Sequence, residues 1–203
     1  MSSDHFRSVV FFSGPSGRIM VGNSLTSFEG GFWFNDVLVG ASFAGAPTGA
    51  VPHRAGAKGW IAHEAGPGKD DSGVAGLTLA DEFGMPAAAI ATMDARLASG
   101  MSLMSGHLSR CNTAAARLGV KPGQTGAVAA HIMLENARSG RAIDLAGRID
   151  EETHVVQTAA GIIYACWSFS RVTGKQRCFL RRFTWGSHDG PVRPSYQTKG
   201  INL

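Results

Sequence analysis

The chain has 203 residues, 44% of them hydrophobic and 17% charged, with 27 glycines and a formal net charge of +4. That length allows one domain with a sizeable core, and the composition excludes a wholly disordered chain or a disulfide-stapled miniprotein. No apolar run reaches the roughly 18 to 20 residues of a membrane span, and the cysteines 111, 166 and 178 form neither an even disulfide set nor a close-spaced metal pair.

Residues 1–7 are polar and lack the basic start, apolar stretch and small-residue cleavage site of a secretory leader. A cytoplasmic protein with reduced thiols is the expectation. The next segment, Phe6 to Ser13, runs through the turn Gly14-Pro15-Ser16-Gly17 into Arg18 to Asn23, the pattern of a β-hairpin.

From Asp36 onward, short apolar runs alternate with helices rich in small residues. Asp36 to Ser42, Lys58 to Glu64 and Pro86 to Thr92 read as strands buried on both faces. Between them the sequence predicts a short helix after Ser42, and a helix from Gly73 to Phe83 capped by Ser72 and closed by Gly84. A further helix is expected over Ser102 to Leu118, because Met104, Leu108, Cys111, Ala115 and Leu118 recur at helical spacing and Gly119 follows. Thr125 to Ala137 reads as another helix, with Thr125 as its cap.

Beyond it, HVVQTA, GIIYACWSF and RCFLRRFTW read as strands, the last two joined as a hairpin across Val172 to Lys175. The fold class is therefore α/β: a mixed sheet with a parallel βαβ centre and antiparallel hairpins from both chain ends. Residues 1–190 are expected to form one domain, and 191–203 a tail that serves as an oligomer contact.

Parallel βαβ units place their strand C-termini on one edge, where α/β proteins hold ligands. Three successive strand ends bring polar groups there: Ser42, the pair His63-Glu64, and Thr92 followed by Asp94 and Arg96. The loop GPGKDDSG joins them with Gly66, Gly68, Lys69, Asp70, Asp71 and Ser72. Permissive glycines, a lysine and a following helix N-terminus suit an anion. The two aspartates equally suit simple capping of that helix. The loop also departs from the P-loop pattern, with His63 at the first Gly position and Asp70 after the lysine.

His63, Asp70 and Asp94 are the candidate proton-transfer groups. Ser42, Gly66, Gly68, Lys69, Asp71, Ser72 and Arg96 are the candidate ligand-binding residues. GASFAG misses the G-x-S-x-G elbow at Ala44, so the motif for a serine hydrolase is incomplete. His107, with Ser102 and Ser105, falls in the turn after the third strand and approaches the same edge. No metal-binding motif is present, and no cofactor is specified.

Charge is uneven along the chain. From residue 170 onward seven Lys and Arg face Asp189 alone, a local +6, so the first 169 residues carry −2. Arg177, Arg181 and Arg182 alternate with Phe179, Phe183 and Trp185, a composition that binds phosphates and bases. A strand would split these cations between two faces, which suits a protected edge or a subunit contact better than nucleic acid. Two expectations follow: an enzyme acting on a small anionic, carboxylate- or phosphate-bearing molecule at the shared edge, or a non-catalytic homo-oligomeric assembly protein whose basic C-terminal hairpin binds a partner.

Overall fold

The structure, a computed structural model, describes residues 8–149, 154–158 and 161–165. They belong to two units, divided between Ile149 and Asp150, and each is described by itself. The basic segment Arg177 to Trp185 and the tail 191–203 lie outside the described residues.

The first unit opens with a hairpin, β1 (Val9–Gly14) and β2 (Gly17–Gly22). Strands β3 (Val37–Phe43), β4 (Gly59–His63) and β5 (Ala87–Ile90) run parallel to β2 and to one another, in that spatial order. The sheet ends with β6 (Leu108–Cys111), antiparallel to β5. A mixed α/β sheet with a parallel centre is thus what the chain forms. Its second antiparallel edge comes from the middle of the chain; the later strands β7 (His154–Thr158) and β8 (Gly161–Ala165) form a separate two-stranded sheet in the second unit.

Alternation along the strands divides the core into two layers. Met20, Leu38, Trp60, Ala62, Ala87 and Ala89 face α1 (Ala46–Ala55) and α2 (Ala75–Glu82). Ile19, Val39, Ile61, Ala88 and Ile90 face α3 (Gly100–Ser105), α4 (Thr113–Arg117) and α5 (Gly126–Asn136). Both faces are covered, which is why these strands are continuous apolar runs. Burial of each large aliphatic, Leu38 or Ile61 for example, contributes about 2 kcal/mol.

Three helix expectations meet different outcomes. Thr125 caps α5 as expected, its side chain accepting from Val128 N–H. The helix expected from Gly73 begins at Ala75, behind a 3-10 turn over Lys69–Val74, and Ser72 does not cap it. Its first turn instead docks on the loop after β3: Gly76 N–H donates to the Ala44 carbonyl, and a Cβ on Gly76 would lie 2.6 Å from that oxygen.

The helix expected over Ser102 to Leu118 is a correction, because that stretch is α3, then β6, then α4. Gly106 takes an extended conformation that ends α3, and Asn112 restarts a helix by accepting from Ala115 N–H. Asn112 also bonds Ala87 N–H and the Met85 carbonyl, which ties the strand between them to β5. The apolar spacing still marks inward residues: Met104, Leu108 and Ala115 are buried.

Candidate functional site

The loops after β3, β4 and β5 are stitched together at the C-terminal edge of the parallel strands. Ala98 N–H donates to the Ala41 carbonyl, and Ala44 N–H to the His63 carbonyl. His63 accepts from Ala65 N–H at Nδ1 (2.8 Å) and donates from Nε2 to the Ala95 carbonyl (3.0 Å). Gly66 N–H donates to Thr92 Oγ1 at 2.9 Å. The three expected strand ends therefore do meet at one edge.

These bonds also sort the candidate residues by what their polar atoms are doing. His63 is buried, and both ring nitrogens are engaged by backbone, so it holds the second loop against the third. Ser42 Oγ accepts from Leu25 N–H (3.1 Å) and anchors the segment that follows β2. The Gly66 amide is engaged by Thr92. Gly68 has φ 71°, and Lys69, Asp70, Asp71 and Ser72 stand exposed on the 3-10 turn. Arg96 is exposed, its backbone N–H donating to Ser102 Oγ.

Asp94 has a partner that the sequence placed on a helix. His107 immediately precedes β6, and because β6 is antiparallel it begins at this same edge, with Ala91 N–H donating to the His107 carbonyl. Asp94 Oδ2 lies 2.8 Å from His107 Nδ1 and also accepts from His107 N–H at 3.3 Å. Both side chains are about half exposed, and His107 Nε2 has no partner among the described residues. A carboxylate that fixes one imidazole nitrogen and leaves the other free is the orienting half of a general acid/base arrangement.

A second polar cluster surrounds Glu64. Its carboxylate accepts from Thr92 N–H (3.3 Å), Thr92 Oγ1 (3.1 Å) and Arg110 Nε (3.1 Å). Burial alone would raise the carboxyl pKa, but these donors, together with Ser109, outweigh it and hold Glu64 below the ordinary carboxylate range. Arg110 reaches it through a bulge. Leu108 pairs with Ile90 and Arg110 with Ala89, so Ser109 is the extra residue. That insertion turns Arg110 away from the face of Leu108 and onto the α1/α2 side.

Arg110 continues to Asp71, Nη1 to Oδ1 at 3.1 Å. Both border a cleft of about 300 Å3 between the 3-10 turn, α2 and the strand β6, lined also by Asp70, Thr78, Asp81 and Cys111. Burial and then the charge of Asp81 push the Cys111 thiol pKa up, keeping it protonated. Asp81 itself accepts from Thr113 and Ala114 N–H, capping α4. Among the described residues no group of three or more His, Cys, Asp or Glu side chains is arranged to hold a metal ion.

From the sequence, Glu64 is a candidate acid/base partner of His63 that strand alternation sets on the opposite face, and Arg110 is given no role. The run of apolar residues that suggested a helix concealed both the strand and its bulge. No family model matches this chain, and comparison with curated proteins and with solved structures returns no match.

Proposed function

We propose that the protein is an enzyme acting on a small anionic metabolite, carboxylate- or phosphate-bearing, at the C-terminal edge of its parallel strands. The Asp94–His107 pair carries this reading. Asp94 orients the ring through Nδ1, and Nε2 takes a proton from the substrate and returns it. Lys69 and Arg96, exposed and without an ion-pair partner among the described residues, supply positive charge at the same edge. Asp70 offers a second carboxylate, without an ion-pair partner among the described residues, while His63, Ser42 and Gly66 hold the loops in register.

The test is a mass-spectrometric screen of the purified chain against a panel of carboxylate- and phosphate-bearing metabolites, run beside His107→Ala. Conversion of a panel member, with a loss of about 100-fold or more in His107→Ala, is the expected result. Conversion that persists undiminished in that variant removes the reading, as does no conversion at all.

One observation favours a second reading, homo-oligomeric assembly. Val9, Val10 and Phe11 lie substantially exposed on the edge strand β1, which has no charge along its length. Such an edge pairs readily with another strand. A strictly monomeric mass in light scattering would exclude it.

A further inference from the structure

Arg110 has one fixed side and one exchangeable side. Its Nε is held by Glu64, whose side chain is only 11% exposed and is kept ionised by its other donors. Its Nη1 is held by Asp71, which is 63% exposed. Asp71 sits on the 3-10 turn with φ 55°, beside Asp70 at φ 54°, a backbone region that side chains other than glycine rarely adopt. Arg110 lines the cleft, and Asp71 meets its Nη1 there as an ion pair on the solvent side.

Resting on the enzyme reading given above, we infer that Arg110 is the group that recognises the substrate carboxylate, and that Asp71 is an internal carboxylate which the substrate replaces. A free carboxylate can take both outer nitrogens as a fork, in competition with a solvated Asp71. Replacement also frees the turn from its tether. The other charges of the lining define the rest of the ligand. Asp70 and Asp81 add negative charge to the lining, so the fitting molecule carries an ammonium group as well. The substrate class is an amino carboxylate, small enough for a cleft at the lower end of ligand-site volumes.

Isothermal titration of the full chain with each proteinogenic amino acid, and with acetate and inorganic phosphate as controls, tests this on wild type, Asp71→Asn and Arg110→Lys. The lysine keeps a cation beside Glu64, which preserves the fold, but lacks the fork. The expected result is amino-acid binding that tightens about 10-fold in Asp71→Asn and vanishes in Arg110→Lys. Absence of binding in Asp71→Asn overturns the inference, as does equal binding by Arg110→Lys or equal binding of acetate or phosphate. His107→Ala separates the two claims: it retains this binding while losing turnover, so a failure of proton transfer and a failure of recognition are distinguishable.

Discussion

The two edges of the parallel strands use charge in opposite ways. At the N-terminal edge the charges of Arg18, Asp36 and Lys58 are spent on structure. Arg18 makes a paired bond to Asp36, which raises the guanidinium pKa further, and buried Lys58 donates to the carbonyls of Ser16 and Leu134. At the C-terminal edge Lys69, Asp70 and Arg96 are exposed, Asp71 is half tethered, and His107 Nε2 has no partner among the described residues. Backbone strain follows the same division: the non-glycine residues with positive φ among those described, Ala65, Asp70, Asp71 and Ala98, all lie in loops of the C-terminal edge. Strain and unspent charge at one end, with Arg18 and Lys58 bound into the structure at the other, is the distribution expected of a site carried on a scaffold.

Mutations at the two edges break or sharpen that contrast. Lys58→Met leaves two carbonyls without their charged donor and lowers unfolding free energy by about 3 kcal/mol, read by urea denaturation. An unchanged midpoint would mean that the N-terminal edge is not pinned through Lys58. On α1, His53 reports on the same framework: it is fully buried, and burial lowers its pKa to about 4 from the ordinary 6.5. As pH falls, the unfolded chain takes up this proton first. Stability is therefore complete above pH 6.5 and declines toward pH 4, by about 3 kcal/mol in total, and a His53→Leu variant shows a correspondingly flatter profile.

Smaller stability effects are expected at the C-terminal edge. Arg110→Ala leaves Glu64 ionised without its cation and costs about 2 kcal/mol, measurable by the same denaturation. Asp71→Asn, which removes only the solvated end of that network, changes stability by less than about 0.5 kcal/mol. A large loss in Asp71→Asn would make the turn part of the framework and erase the distinction between the edges.

Much of the scaffold was legible because the physics that forms it is local. Continuous apolar runs at β3, β4 and β5 signal strands covered on both faces, and Thr125 signals the start of α5 through a cap that needs only its own turn. The stretch 102–118 was not legible for the opposite reason. Its strand exists by pairing with β5, and its restart depends on Asn112 reaching Ala87 and Met85, partners far away in sequence. Of the candidate site, the meeting of Ser42, His63, Gly66 and Asp94 at one edge followed from strand direction. What these side chains do there did not: two hydrogen bonds to backbone decide the role of His63, and a single-residue bulge at Ser109 decides the aim of Arg110.

The most direct test of the account is amide chemical-shift mapping of the isotopically labelled chain during titration with the proteinogenic amino acids, acetate and phosphate. Saturable shifts gathered in residues 63–72, 92–98 and 107–113 are the expected result. Shifts gathered instead around residues 16–18, 36, 58 and 134, at the opposite edge, would contradict it.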